Sequence, residues 1–131
     1  MGRPVVYGII ISCILLGIVN ADVMSPASQQ QTKIITKVVK DPITVIKSAA
    51  LKSSRHLNSY YVGLSFVAHD LEMIGIGIWL VEGDPYKPKV VYSINATALV
   101  FSKYPKASRL KSPANLSDHE AQLILDFLKA E

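Results

Sequence analysis

The stretch Gly75–Asp84, GIGIWLVEGD, decides how the rest of the sequence is interpreted. Successive side chains of a β-strand point to opposite sides, so the isoleucines would share one side and Gly75 and Gly77 would share the other side with Trp79. Glycine weakens the interior of a strand, and a strip of bare backbone beside a tryptophan therefore needs a reason. What covers that strip determines how much function the sequence reveals.

In two further segments the side chains alternate between two sides in the same way, which predicts one strand before this one and one after it. They are Tyr60–His69, YYVGLSFVAH, and Lys89–Asn95, KVVYSIN. Short links join the three strands, so an antiparallel meander is the expected topology. Residues 71–73 would supply the odd-length loop that brings the apolar sides of the first two strands onto one face.

A helix is predicted before the strands. Asp41 and Pro42 are typical of a helix start. Aspartate caps the free amide groups of the first turn, and the missing N–H of proline costs nothing there because that N–H would have no acceptor within the helix. Apolar residues then recur at helical spacing as far as Asn58. The preceding segment, residues 22–40, is predicted to be a flexible lead-in, within which residues 33–40 fit either a short helix or a strand.

Two helices are predicted after the strands. Helical spacing begins at Ala96 and ends before Pro105, and Ser117 and Glu120 have the spacing of a capping box that starts the last helix. The expected fold class is α+β: a three-stranded antiparallel β-meander with one helix before it and two helices after it. Residues 41–131 are expected to form one small domain.

The first 21 residues have the pattern of a cleaved secretory signal peptide. Arg3 precedes an uncharged apolar run, and Val19-Asn20-Ala21 places short side chains where a signal peptidase reads them. The pattern favours cleavage after Ala21 and a secreted or periplasmic protein. Two alternatives stay open: retention as a membrane anchor through residues 4–20, and lipidation at Cys13.

Cysteine content and charge indicate which compartment and which partners suit this protein. The chain has one cysteine, Cys13, so a chain cleaved after Ala21 has none, which suits a bacterial periplasm or exterior better than disulfide-rich animal secretion. The chain has 14 basic and 10 acidic residues, and cleavage removes one basic residue, Arg3. The basic residues form two loose clusters, interpreted as solvated faces, and no aromatic ladder accompanies them, so no nucleic-acid partner is expected.

The glycine-bearing strands supply the candidate ligand or partner surface. If the apolar sides of both strands share a face, five residues lie close together: Tyr61, Gly63, Gly75, Gly77 and Trp79. In the favoured interpretation, the first predicted helix packs on this strip through the small residues Ala49 and Ala50. A groove for an unknown protein or small ligand is the second interpretation, and a homodimer through the same face is the third.

The sequence offers little chemistry. Its three histidines lie in different predicted elements without a recognised metal spacing, and there is no nucleophile elbow. No catalytic residue, metal or cofactor is therefore assigned. The predicted function is a non-catalytic binding or structural module of the cell envelope or exterior. The alternative is a small hydrolase or metal-dependent enzyme that uses His69 and Asp70.

Overall fold

The computed structural model describes residues 23–130, so the predicted leader of residues 1–21 lies outside the described part. Its helices and strands are α1 (Gln29–Thr36), β1 (Ile43–Lys52), β2 (Ser59–Ala68), β3 (Met73–Asp84), β4 (Lys87–Ser93), α2 (Ala96–Ser102) and α3 (His119–Lys129). Short 3-10 turns lie at His69–Leu71 and Ala107–Arg109. The α+β class is confirmed.

The strands form one antiparallel sheet in the order β1-β2-β3-β4. The antiparallel meander is thus confirmed, but the described sheet has four strands and not the predicted three. The two helices predicted after the strands are present as α2 and α3. The single helix before the strands is also present, but it lies earlier in the chain than predicted.

The helix predicted to begin at Asp41 and Pro42 is wrong, because the residues after them form β1. Four consecutive β-branched residues, 43–46, favour an extended chain. A bulge at Ile46 interrupts the pairing with β2 between Val45 and Lys47. The extra residue moves the following side chains to the other face. The apolar residues of β1 therefore do not alternate strictly, and their spacing imitates that of a helix.

The segment 22–40, predicted to be a flexible lead-in, contains α1. A capping box starts the helix: Ser28 Oγ accepts from the Gln31 N–H, and Gln31 Oε1 accepts from the Ser28 N–H. Ile35 is completely buried in the core. An isolated bridge between Ser25 and Ala50 ties the chain before α1 to the edge strand β1.

Both faces of the sheet are covered by helices. On the first face, α1 packs against β4 and α2 packs against β3 and β4, and their side chains Ile35 and Phe101 belong to one core with residues of β2 and β3. On the second face, α3 packs Ile124 and Leu128 against β1 and β2. An antiparallel sheet with two buried faces has apolar residues on both sides of its central strands, as β2 and β3 do.

The β2–β3 connection sets a different register from the predicted one. Ala68 pairs with Met73, so four residues connect the strands, and Glu72 among them adopts a left-handed conformation with φ 51°. This register places Val62 opposite Trp79. The glycine-bearing side of β3 consequently shares its face with the apolar side of β2, and the glycine-bearing side of β2 faces α3.

Candidate functional site

The five residues of the predicted surface do not form one surface. Tyr61 and Gly63 lie on the face covered by α3, whereas Gly75, Gly77 and Trp79 lie on the opposite face. All five are buried; Tyr61 is 0% exposed and Trp79 is 1% exposed.

Helix α3 covers Gly63. A Cβ atom on Gly63 would overlap Ile124 Cγ2 and lie 2.7 Å from Leu128 Cδ1. The glycine therefore allows the helix to approach the sheet closely. A helix of the chain thus covers this glycine, as the sequence predicted, but that helix is α3. Ala49 and Ala50, which were predicted to make the contact from the first helix, belong to β1.

On the other face, the Trp79 side chain fills the bare strip of its own strand. The indole ring lies over Gly77, where a Cβ atom would lie 2.8 Å from Trp79 Cζ3. The indole Nε1–H donates to Ser102 Oγ of α2 at 2.9 Å, which holds the ring in this position. Gly75 is covered by Phe66 and Thr97, which would lie 3.0 and 3.3 Å from an added Cβ. Neither glycine-bearing strip is open to a ligand.

The more promising site lies beside Tyr60, the neighbour of Tyr61 on the other face of β2. Tyr60 is half-buried and lines two concavities. We call the first, of about 530 Å³, the lysine cleft; its lining residues are Lys52, Asn58, Tyr60, Glu82, Gly83, Asp84, Lys87 and Lys89. We call the second, of about 470 Å³, the helix cleft; its lining residues are Ser25, Pro26, Ser28–Gln31, Ala50, Tyr60, Pro85 and Tyr86.

The lysine cleft is formed by the ends of β1, β2 and the β3–β4 hairpin. Lys52 pairs with Tyr60 across β1 and β2, while Lys87 and Lys89 lie on β4. Within the described residues, none of the three lysines forms an ion pair. Three lysines line this concavity together with Glu82 and Asp84, so the formal charge of its lining residues is positive. The Asp84 side chain also accepts a hydrogen bond from the Tyr86 N–H at 2.8 Å, which fixes the turn.

The helix cleft lies at the N-terminus of α1, against the β3–β4 turn. Ser28 Oγ donates to the Pro85 carbonyl oxygen and so attaches the helix to that turn. Gln31 is 1% exposed, and its Nε2 has no hydrogen-bond partner among the described residues. A buried polar group without a partner costs about 1–3 kcal/mol, so the position calls for an explanation.

A cluster of polar side chains on the α3 face joins the β1–β2 connection to α3 by hydrogen bonds. Arg55 and Tyr61 both donate to Asp118 Oδ2, at 2.9 and 2.6 Å. Glu120 Oε2 accepts from the Ser54 N–H at 2.8 Å. The capping box predicted from Ser117 and Glu120 is therefore absent: Asp118 is the N-cap residue, and Glu120 bonds to the hairpin.

The protonation equilibria of this cluster follow from its contacts. Burial raises the pKa of Asp118, but hydrogen bonds from Tyr61 and the Asn115 N–H and the charge of Arg55 outweigh burial, and the net pKa is lowered. The pKa of Tyr61 is raised, chiefly by burial and then by its hydrogen bond to Asp118. The carboxylate is thus held ionised and the phenol neutral, which is typical of a structural contact.

The rings of His69 and His56 contact hydroxyl and backbone carbonyl groups. His69 Nε2 lies 2.6 Å from Thr44 Oγ1 at the exposed end of the β2–β3 hairpin, with Asp70 exposed beside it. His56 contacts Ser53 Oγ at 3.0 Å and the Ser112 carbonyl oxygen at 2.8 Å. Residues 23–130 contain no group of three or more histidines, cysteines or acids placed to hold a metal ion.

The sequence interpretation missed Tyr60 and the three lysines that share its cleft. The lysines were counted among the solvated basic residues, and only the pairing of β1 with β2 and the β3–β4 hairpin bring them together. One signal was present: Tyr60 and Tyr61 are adjacent, so one of two large aromatic rings had to lie on each face of the strand.

Comparisons with known proteins give no further guide. No family model matches the chain, and neither the curated protein sequences nor the solved structures contain a significant match. None of the helices in residues 23–130 is both long and apolar enough to span a membrane.

Proposed function

We propose that this protein is an exported, non-catalytic binding module that holds an anionic ligand in the lysine cleft. Export is supported by the signal-peptide pattern of residues 1–21. The observation that carries the binding proposal is the convergence of Lys52, Lys87 and Lys89 on one concavity without an ion-pair partner among the described residues.

The chemistry of the cleft favours an anion over other ligands. Ammonium groups are compact point charges with three donors each, and they bind carboxylate or phosphate oxygens. Tyr60 and Asn58 line the same cleft, so an aromatic residue and an amide residue accompany the lysines. The volume of about 530 Å³ lies in the range of small-molecule sites.

The other predicted functions have less support. The sheet strips that would form a homodimer interface or a glycine-floored groove are covered by Ile124 and Trp79 of the chain itself. The hydrolase alternative requires His69 and Asp70 to act together, but the hydrogen bond of the His69 ring is with Thr44. No contact of the described residues favours either function.

The proposal is tested by binding of inorganic pyrophosphate to the purified protein, measured by calorimetry. Replacing Lys52, Lys87 and Lys89 together by glutamine is expected to weaken binding about tenfold or more, since each lost contact contributes up to about 1 kcal/mol. Raising the salt concentration from roughly 20 to 200 mM is expected to weaken binding as well, because salt screens exposed charges.

A second triple variant serves as the matched control. Glutamine at Lys40, Lys106 and Lys111 changes the net charge equally but leaves the cleft intact, and these side chains are also exposed. We expect this variant to bind within about threefold of the unaltered protein, since distant exposed charges are screened. Equal losses in the two variants, or no binding by the unaltered protein, would contradict the proposal.

A further inference from the structure

An open, mostly apolar concavity, which we call the α1 groove, lies between α1 and β4. Its volume is about 590 Å³, and its lining residues are Gln30, Lys33, Ile34, Thr36, Lys37 and Pro88. Ile34 and Pro88 are only half-buried, so this part of the surface stays accessible to solvent. An accessible apolar strip on a helix is a candidate contact surface.

The charged residues that line the α1 groove are both lysines. Lys33 and Lys37 are four residues apart, so they lie on the same side of the helix. Both are exposed, and neither forms an ion pair among the described residues. Lysine side chains extend over apolar surface and keep their ammonium groups in a polar medium, so the groove suits a partner that is apolar inside and anionic at its surface.

Charge is segregated around the groove. The elements α1, α2 and β4 contain no aspartate or glutamate, although lysines occur in α1, in β4 and directly after α2. The acidic residues nearest to the groove along the chain are Asp41 and Asp84, and they lie outside these elements. A basic region without intervening carboxylates attracts anionic surfaces.

A second exposed apolar patch has the opposite charge pattern. Leu71, Met73 and Ile74 lie at the β2–β3 connection and are 56%, 44% and 68% exposed. Asp70 and Glu72 are their neighbours along the chain, and both are exposed. An anionic surface would repel these carboxylates. The combination of apolar surface with lysines therefore distinguishes the α1 groove from this patch.

We propose that the α1 groove is a contact surface for an anionic lipid membrane. In this arrangement Ile34 and Pro88 lie toward the acyl chains, and Lys33 and Lys37 bind the phosphates of the lipid head groups. This interaction goes beyond the proposed function, because it requires neither the lysine cleft nor its ligand.

An acidic peptide is a less suitable occupant of the groove. A bound peptide needs partners for its backbone N–H and C=O groups. The uncharged polar residues that line the groove are Gln30 and Thr36, and the Thr36 hydroxyl already donates to the Thr32 carbonyl oxygen at 2.9 Å. A lipid surface requires no such partners, so the mostly apolar lining favours it.

The test measures binding of the purified protein to lipid vesicles by co-sedimentation. Vesicles of equal parts phosphatidylglycerol and phosphatidylcholine are expected to bind about tenfold or more tightly than vesicles of phosphatidylcholine alone. Replacing Lys33 and Lys37 together by glutamine is expected to weaken binding to the anionic vesicles about tenfold or more, since each lysine near such a surface contributes severalfold. Equal binding to the two kinds of vesicle, or no binding to the anionic ones, would overturn the proposal.

Glutamine at Lys111 and Lys129 is the matched control. Both lysines are exposed, and their replacement changes the net charge equally. Lys129 lies in the last turn of α3, on the opposite side of the sheet, as Lys33 lies in the last turn of α1, so each variant removes one lysine from a helix C-terminus. We expect the control to bind anionic vesicles within about threefold of the unaltered protein. Equal losses in the two variants would overturn the proposal, because net charge and not the groove would then determine binding.

Two measurements on the unaltered protein do not depend on how the variants fold. Hydrogen exchange of residues 30–40 is expected to slow when anionic vesicles are added, because a covered segment opens less often to solvent. Slowing confined to residues 70–74 would place the contact at the β2–β3 connection and overturn the proposal. Soluble polyglutamate is expected to bind about tenfold or more weakly than the anionic vesicles, since it offers no apolar phase. Polyglutamate binding as tight as vesicle binding would indicate an acidic peptide partner instead of a membrane.

Discussion

Trp79 and Gly77 act as a pair within β3. Trp79 is the only tryptophan of the chain, and its indole ring occupies the space that a side chain at position 77 would need. The hydrogen bond from Trp79 Nε1 to Ser102 Oγ leaves the ring little freedom to move aside, because leaving the buried N–H unpaired is costly. The glycine is therefore required by packing inside the protein.

Replacing Gly77 by alanine is expected to lower the free energy of unfolding by about 1–3 kcal/mol through overpacking. Urea unfolding followed by the fluorescence of Trp79 measures the effect. Gly75→Ala is the matched control: its Cβ would meet Phe66 at 3.0 Å and Thr97 at 3.3 Å, which small shifts can accommodate. A Gly77→Ala protein as stable as the Gly75→Ala protein would show that the ring does not fill the strip as described.

At the scale of elements, β1 shows how local signals conflict. Asp41 and Pro42 favour a helix start, whereas the β-branched residues that follow favour a strand. The strand forms because pairing with β2 extends over its whole length on both sides of the bulge at Ile46. A bulge leaves no clear mark in a single sequence, so the spacing of the apolar residues was misleading.

Carboxylates at the start of α3 hold the β1–β2 connection, so we expect the free energy of unfolding to depend on pH in the acidic range. The folded-state pKa of Asp118 is lowered, so its stabilisation is present above the unfolded-state pKa of about 3.9 and is lost as the pH falls through the folded-state value. Glu120, whose pKa is also lowered despite burial, through hydrogen bonds from Ser54, acts in the same direction.

Asp118→Asn is therefore expected to reduce stability at pH 7 and to lose less stability than the unaltered protein between pH 5 and pH 3. Urea unfolding at a series of pH values in that range is the measurement, since the pH slope reports proton uptake. Asp126→Asn, an exposed aspartate of the same helix, is the control and should follow the unaltered protein. Parallel pH profiles for the Asp118→Asn and unaltered proteins would exclude the assigned role of the carboxylate.

At the scale of the whole molecule, the sequence predicted the strands better than the surface they form. The alternation in residues 60–69 and 74–82 was sufficient to predict β2, β3 and their antiparallel pairing. The register was not predictable, because both faces of these strands are apolar and polarity cannot select between them. The predicted register was in error by one residue. It therefore placed Gly63 and Trp79 on the same face, whereas in the structure they lie on opposite faces.

The candidate site was beyond the reach of sequence reasoning for a related reason. Lys87 is far along the chain from Lys52 and Tyr60, and the proximity of the three residues depends on the β1–β2 register and on the β3–β4 turn. The helix cleft further requires α1, in a segment that was predicted to be flexible. Export through residues 1–21 stays a prediction of the sequence alone.

The helices and side chains of this protein cover both faces of its sheet, and we propose that the ligand binds in the lysine cleft beside Tyr60. The most direct test is a titration of the ¹⁵N-labelled protein with inorganic pyrophosphate, followed by backbone amide shifts. We expect the largest shifts in residues 52, 58–60 and 82–89. Shifts concentrated instead around Gly63, Gly75 and Gly77 would contradict it.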